Sequence, residues 1–265
     1  MKKMVGFILS VLLVSSTLAG CGQNAASGTN SAASGASTAA SKSGAADISG
    51  TITGSGSSAL LPLAQDAAKA FKEKYPNVSI TLNAGGSGDG LKQVSDGSVN
   101  IGNSDVEASS KLTADQAKEL VDHKVCVVTM APIVSKDVGI TNLTKEQLIS
   151  IFTAQITNWK DVGGPDEAIV LVTRPTTSGT RALFTQYALN GNQEASNAAL
   201  ETDNSGTLIK SVQENKGAIG YVALSYLVGD NANQVTAVAI DGAAPTLENT
   251  YNGKYPVWGY EHMYT

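Results

Sequence analysis

The chain has 265 residues, with 18 Lys and Arg against 23 Asp and Glu and a net charge of −5 at pH 7. An acidic chain is not expected to bind nucleic acid, because it lacks the basic surface that a phosphate backbone attracts. With two cysteines and two histidines, it offers neither a disulfide framework nor a clustered metal site.

Residues 1–20 have the pattern of a cleaved signal peptide. Lys2 and Lys3 precede an apolar run from Val5 to Val14, which is too short to span a bilayer as a mature helix. The segment Leu18–Cys21 resembles a bacterial lipobox, and this implies that Cys21 is the lipidated first residue of the mature protein. We therefore expect an exported protein, anchored by lipid on the extracytoplasmic face of the cell membrane; a non-lipidated secreted protein is the alternative.

Residues 21–46 consist almost entirely of Ser, Ala, Gly, Thr and Asn. Such a segment buries too little apolar surface to fold, so we expect a flexible tether. About twenty-five residues of this composition have a root-mean-square reach of roughly 25–30 Å. The tether would let the folded part reorient above the membrane.

A Gly/Ser-rich turn follows each of the first two predicted strands. The strand Ile48–Thr53 leads through Gly54–Ser58 into a predicted helix, Ala59–Lys74, whose apolar residues repeat at helical spacing. The strand Val78–Asn83 leads into Gly85–Gly90. The first turn has a degenerate dinucleotide fingerprint, but the second strand does not end in the acid that would hold a ribose. Nucleotide binding is therefore rejected, while a helix N-terminus suited to an anion remains.

A third turn has the clearest anion-binding chemistry. The apolar strand Ala168–Val172 precedes Arg174, and the segment Ser178–Thr180 then opens a helix through Tyr187. The first N–H groups of a helix lack intrahelical partners, and together with the helix dipole they attract anions. Arg174 adds a permanently charged planar fork suited to phosphate. The alternative is a helix cap beside a surface arginine.

The remaining segments predict an α/β protein with largely parallel sheets, since short strands alternate with capped helices. Asp105 comes just past a short apolar strand, where ligand groups of such sheets lie. The apolar runs Lys124–Val134 and Val235–Ile240 are interpreted as crossings between two lobes. Cys126 has no partner for a disulfide, and we expect it to be a buried, inert thiol.

Six segments in this order resemble the phosphate-binding lipoprotein of the bacterial phosphate ABC transporter, and the resemblance covers Ile48 to Thr265. These segments are Ile52–Ser58, Gly86–Gly90, Asn103–Asp105, Ile156–Trp159, Arg174 with Ser178–Arg181, and Gly217–Tyr221. The resemblance implies a two-lobed periplasmic-binding-protein-like fold of type II, with the ligand in the cleft between the lobes. Lobe I would comprise residues 47–132 and 231–265, and lobe II residues 133–230.

The resemblance also implies a function and a set of contacts. The protein would bind inorganic phosphate and deliver it to the membrane permease of an ABC importer. It would act as a monomer, not as an enzyme, and without a cofactor or metal. The implied phosphate contacts are Ser58, the Ala59 N–H, Ser87 and Asp105 from lobe I, and Arg174, Ser178, Gly179 and Thr180 from lobe II; the hydroxyl of Ser57 in the first turn is a further candidate.

Two departures from the family pattern bear on the prediction. Some members carry an acid two residues after the arginine, but this chain has Thr176 there, so Asp105 is the remaining carboxylate acceptor. Members also usually continue past a strand like Tyr255–Thr265 into a helix that packs on the first lobe. The sequence stops at Thr265, so we expect either that the sequence is truncated or that this lobe lacks the covering helix.

Other functions remain in competition with phosphate binding. The site could hold another tetrahedral oxyanion, namely sulfate, molybdate or tungstate, and a surface adhesion lipoprotein is a further alternative. A serine hydrolase needs a nucleophile with an adjacent base. Neither His123 nor His262 lies beside a nucleophile motif, so this class is disfavoured.

Overall fold

The computed structural model describes residues 48–195 and 199–265. The predicted signal peptide, Cys21 and the tether lie outside the described residues and stay predictions. Up to residue 134, the helices and strands are β1 (Gly50–Gly56), α1 (Leu61–Lys74), β2 (Val78–Ala84), α2 (Ser87–Ser95), β3 (Ile101–Ser104), α3 (Ala114–Lys118) and β4 (Asp122–Val134).

The rest of the described chain continues the alternation of strands and helices. These elements are β5 (Asn142–Leu143), α4 (Lys145–Phe152), β6 (Val170–Thr173), α5 (Gly179–Tyr187), β7 (Ala199–Glu201), α6 (Ser205–Glu214), β8 (Ala218–Ala223), β9 (Thr236–Ala237), β10 (Ala239–Ile240), α7 (Leu247–Tyr251) and β11 (Trp258–Tyr264). Within residues 48–195 and 199–265, we find no helix with the length and apolarity that a membrane span requires.

One mixed sheet runs through the molecule in the order β2-β1-β3-β11-β4-β8-β6-β7, and β9 pairs with the end of β4. The outer strands pair in parallel, as predicted, whereas β11 and β4 are antiparallel to their neighbours. The prediction of largely parallel sheets is therefore wrong for the centre. We call β1, β2, β3 and β11 with their helices the first half, and β6, β7 and β8 with theirs the second half.

The 13-residue strand β4 belongs to both halves, which confirms that Lys124–Val134 crosses between them. Its residues from Asp122 to Thr129 pair with β11, and those from Met130 to Val134 pair with β8. A strand shared in this way fixes both halves to one backbone. The polar residues at the carboxyl ends of β1, β3 and β6 therefore face the junction of the two halves.

Local sequence signals set several helix boundaries. Thr144 caps α4, because its hydroxyl accepts from Gln147 N at 3.1 Å while Gln147 Oε1 accepts from Thr144 N at 2.8 Å. Thr113 and Gln116 form the same capping box at α3. Pro62 lies in the first turn of α1, where its missing N–H costs no hydrogen bond.

Two predictions are corrected. Val235–Ile240 is not one strand returning to the first half: it forms β9, which pairs with β4 at Ile133 and Val134, and β10, which pairs with β5. Its residues turn between two partners, with Val238 N bonded to Pro132 O at 2.9 Å. Cys126 is free but only half-buried, and partial burial raises the pKa of its thiol.

The apolar core is unevenly distributed. The second half contains a large cluster in which the rings of Phe184 and Tyr221 stack at 4.2 Å between centroids. The first half has a small cluster around Leu91 and Tyr264. Helix α1 buries only Ala64, and an apolar groove of about 230 Å³ lies between α1 and its sheet.

Candidate functional site

The structure brings all the predicted contact residues together at the junction of the two halves. The first half contributes the residues that follow β1, namely Ser57, Ser58 and Ala59, the first residue of α2, Ser87, and the residue after β3, Asp105. The second half contributes Arg174, which follows β6, and the residues that open α5, namely Ser178, Gly179 and Thr180. Apart from Gly179, which is also buried, each has a relative exposure of 2% or less. Their burial shows that the predicted residues form one interior polar cluster.

Backbone hydrogen bonds fix the residues of the first half. The Asp105 N–H donates to Ser87 Oγ at 2.9 Å, which orients that hydroxyl toward the end of β3. The Ser57 N–H donates to Asn103 O at 2.8 Å, and Ser57 Oγ accepts from Leu60 N at 3.1 Å. The turn after β1 is therefore tied both to β3 and to the start of α1.

Helix α5 aims its N-terminus into the same cluster. Ser178 is the N-cap, with its hydroxyl accepting from Arg181 N at 3.2 Å. The N–H groups of the first turn, including those of Gly179 and Thr180, have no intrahelical acceptor and carry the positive end of the helix dipole. The sequence-based prediction of an anion-binding helix N-terminus thus has the required geometry.

The two halves touch closely at this point. Thr180 Oγ1 donates to Asp105 Oδ2 at 2.8 Å, and the Gly88 N–H donates to Thr177 O at 2.9 Å. A Cβ built on Gly179 would lie 2.2 Å from Ser87 Oγ. Only glycine at position 179 allows this approach without displacing the Ser87 hydroxyl.

Arg174 is the buried cation of the cluster. Its relative exposure is 1%, and its Nη2 donates to Asp203 O at 2.7 Å and to Ser58 Oγ at 3.3 Å. Among the residues that the structure describes, its Nε has no hydrogen-bond partner. Burial lowers the pKa of the Arg174 guanidinium, yet arginine keeps its charge in proteins. A buried charge with an unused donor favours an anionic partner.

A buried pair of charged side chains, Arg181 and Glu194, contacts the backbone at Arg174. An Nη atom of Arg181 donates to the Arg174 carbonyl oxygen, and Arg181 Nε lies 3.5 Å from Glu194 Oε2. Burial raises the pKa of Glu194 to about 7, against the opposing charge of Arg181. The hydrogen bond from Arg181 therefore fixes the backbone at Arg174.

Sequence reasoning missed three residues that lie at the cluster. Ser205, the first residue of α6, is fully buried, and its Oγ lies 2.9 Å from Ser58 Oγ and 3.5 Å from Arg174 Nη1. The turn Asp203–Thr207 was a usable signal for it. Lys111 donates to Thr176 O at 2.7 Å, and Glu261 on β11 lies beside Asp105; neither carried a local motif.

The cluster has the chemistry of an oxyanion-binding site, with hydroxyl, amide and guanidinium donors around one carboxylate. Among the described residues, no group of three or more His, Cys, Asp and Glu could hold a metal ion. A groove of about 480 Å³ between α5 and β11 involves none of the predicted contacts. A buried anion-binding cluster at the junction of two halves of one sheet defines the class of solute-binding proteins.

Comparison with known proteins gives the family. Residues 26–265 match the family model of the PBP superfamily domain, and the chain belongs to this superfamily. It is 50% identical over 216 residues to the phosphate-binding protein PstS of Bacillus subtilis, covering 82% of this chain and 70% of that protein.

Solved structures agree with this assignment. A phosphate-bound crystal structure from Clostridium perfringens, assigned to a phosphate ABC transporter, has a TM-score of 0.73 and 34% identity, covering 81% of this chain and 86% of that one. An ABC-type phosphate transport receptor from Vibrio cholerae has a TM-score of 0.60 and 29% identity, covering 80% and 86%. The two-lobed periplasmic-binding-protein-like fold is thereby confirmed.

Proposed function

We propose that this chain binds inorganic phosphate outside the cytoplasm and delivers it to the membrane permease of an ABC importer. The names of the relatives support this substrate and this partner. The observation that carries the proposal is the buried Asp105 carboxylate, placed among donors that would otherwise suit any tetrahedral oxyanion.

Phosphate is distinguished from sulfate by its proton. Near neutral pH phosphate still carries at least one proton, which it can donate to the free Oδ1 of Asp105. Sulfate has none to donate and would leave the buried carboxylate unpaired beside an anion. An unsatisfied buried polar group costs at least about 1–3 kcal/mol. The site therefore favours a protonated oxyanion.

The ligand donors come from both halves of the sheet. Arg174 and the first turn of α5 would hold the anion from the second half, while Ser58, the Ala59 N–H and Ser87 would hold it from the first. A ligand that contacts both halves binds the closed arrangement better and shifts the population toward it. We keep as a proposal lobe I at residues 47–132 and 231–265 and lobe II at residues 133–230, except that Val235–Ile240 pairs with strands of the second lobe.

The protein would act as a monomer anchored on the extracytoplasmic face of the membrane through lipid on Cys21. Anchoring would raise its effective concentration near the permease. The proposal requires neither a catalytic group nor a cofactor. A single bound phosphate would account for the Ser/Gly turns, the buried arginine and the lone carboxylate.

Calorimetric titration of the protein with phosphate, sulfate and molybdate tests the substrate. We expect saturable binding of phosphate, no measurable binding of the other two, and loss of phosphate binding in Arg174→Gln. Sulfate or molybdate bound as tightly as phosphate would refute the assignment.

A further inference from the structure

Glu261 on β11 is a buried acid to which the proposed phosphate site assigns no role. Its relative exposure is 1%, and within residues 48–195 and 199–265 neither carboxyl oxygen has a hydrogen-bond partner. Burying a charged carboxylate without partners costs free energy. A buried glutamate is therefore expected either to be neutral or to have a function that offsets this cost. The position of Glu261 beside the cluster indicates what that function is.

The strand register places Glu261 opposite Asp105. His262 pairs with Ser104 in the antiparallel ladder between β11 and β3, so that Glu261 and Asp105 are the next residues facing each other where the ladder ends. Side chains directly opposite in such a pair have Cβ atoms about 4.5–5.5 Å apart. On its other side, Glu261 pairs with Cys126 of β4, next to a shift in register.

The surroundings of Glu261 favour its neutral form. Burial raises the pKa of Glu261 well above its ordinary value, and the charge of neighbouring Asp105 raises it further, as does Cys126 to a smaller extent; the Ser57 hydroxyl acts in the opposite direction. These groups face it from the loop after β3, from β4 and from the loop after β1. None of them is a cation that would stabilise a second negative charge.

Asp105 has room for a further donor. Its Oδ2 accepts from Thr180 Oγ1 at 2.8 Å, while its Oδ1 is buried and has no hydrogen-bond partner in the described part of the chain. A carboxylate offers about four lone-pair sites, so Oδ1 can accept from a neighbouring acid and from a ligand together. A protonated Glu261 is the acid that the register places there.

We infer that Glu261 is a positioning residue of the phosphate site, which keeps its proton and donates it in a hydrogen bond to Asp105 Oδ1. The inference rests on the proposed function. In this arrangement the carboxyl pair carries one negative charge, and the Asp105 carboxylate is oriented to accept the proton of phosphate. Ionised Glu261 would place a second negative charge beside the bound anion and weaken binding.

Two substitutions separate this role from a structural one. Glu261→Gln keeps the size and a donor but cannot ionise, whereas Glu261→Leu removes the donor. Near neutral pH, we expect Glu261→Gln to bind phosphate within a few-fold of the parent and Glu261→Leu to bind about 10- to 100-fold more weakly. At alkaline pH, the parent should lose affinity more steeply than Glu261→Gln, because only the parent can acquire the second charge.

Infrared spectroscopy of the phosphate-free protein measures the proton directly. Above the Glu194 pKa of about 7, the parent should retain a protonated-carboxyl band that is absent from Glu261→Gln and present in the control Glu194→Gln. This readout does not depend on phosphate binding, so a protein that fails to bind phosphate refutes the proposed function without obscuring the state of Glu261.

A parent and a Glu261→Gln variant with superimposable pH profiles and no difference in this band would overturn the inference. Equal loss of neutral-pH affinity in both substitutions would also overturn it, since the retained donor would then have no effect. If Glu261→Leu does not fold, the pH profile and the infrared band of Glu261→Gln decide the question alone.

Discussion

The hydroxyl of Thr180 donates to Asp105 Oδ2 across 2.8 Å and joins the first turn of α5 to the end of β3. These two residues are 75 positions apart in the chain and belong to different halves of the sheet. The contact holds the carboxylate in one orientation and leaves Oδ1 directed elsewhere. The hydrogen bond therefore connects the close contact between the two halves to Asp105, the residue that we expect to select the ligand.

Thr180→Val tests this contact, since it removes the hydroxyl while keeping the shape of the side chain. Losing a hydrogen bond to a charged group costs about 1.5–3 kcal/mol, so we expect phosphate affinity to fall by roughly 10- to 100-fold in calorimetry. Thr185→Val is the matched control on the same helix, because the Thr185 hydroxyl is buried and no described residue is its hydrogen-bond partner. Equal effects of the two substitutions would show that the Asp105 contact is unimportant.

Gly179→Ala tests whether the close approach of the halves is needed for binding. The added methyl group would lie 2.2 Å from Ser87 Oγ and 2.9 Å from Asp105 Cβ, and overpacking of this kind costs about 1–3 kcal/mol. We expect phosphate affinity to drop about 10-fold or more, by calorimetry. Gly206→Ala, in the first turn of α6, meets its nearest atom at 3.6 Å and should bind normally; an unchanged Gly179→Ala would contradict the closed arrangement.

Glu194 predicts a specific dependence of stability on pH. Its pKa is raised from 4.5 to about 7 in the folded protein, so the folded state binds more protons than the unfolded state between these values. Stability relative to Glu194→Gln should therefore fall as pH rises through this window, by about 3 kcal/mol in all. Denaturant unfolding on both sides of the window measures it.

The control for Glu194→Gln is Glu73→Gln, which replaces an exposed glutamate on α1 and reports any general effect of removing a carboxyl group. The stability difference between the parent and Glu194→Gln is compared at two pH values. Any constant effect of losing the contact with Arg181 then cancels. A Glu194→Gln difference that stays constant with pH would mean that Glu194 is ionised throughout.

Cys21→Ser tests the proposed anchor, which lies outside the described residues. A serine cannot carry the thioether-linked lipid, so we expect the variant to move from the membrane fraction to the soluble extracytoplasmic fraction. Cys126→Ser, at the half-buried thiol of β4, is the matched control and should remain with the membrane. Unchanged membrane association of Cys21→Ser would disprove anchoring through this residue.

The positions of the predicted contact residues were accessible to sequence reasoning because their signals are local, whereas the family resemblance supplied their role as contacts. Ser178 caps the helix that it precedes, and Asp105 directly follows a short strand, so neighbouring residues alone indicate their placement. Ser205 carried the same kind of signal, in the turn Asp203–Thr207, but a hydroxyl at a helix start is more often only a cap. Its contact with Ser58 depends on how the halves meet, which no local pattern encodes.

Non-local pairing explains the remaining misses. Glu261 faces Asp105 because β11 inserts between β3 and β4, and the pairing of β11 with β3 joins residues more than 150 positions apart. The run Val235–Ile240 is apolar enough for one strand, yet β9 and β10 bond to different partners. The apolar residues of these two segments predict that both segments are buried, but they do not determine which strands the segments pair with.

The most direct test of the central claim, that Asp105 selects phosphate by accepting its proton, is the affinity of Asp105→Asn for phosphate and for sulfate. An amide keeps the shape of the side chain but can donate a hydrogen bond, so the penalty against an unprotonated anion should disappear. In calorimetry, we predict a modest fall in phosphate affinity together with measurable sulfate binding that the parent lacks. A variant that still excludes sulfate as strongly as the parent would contradict the account.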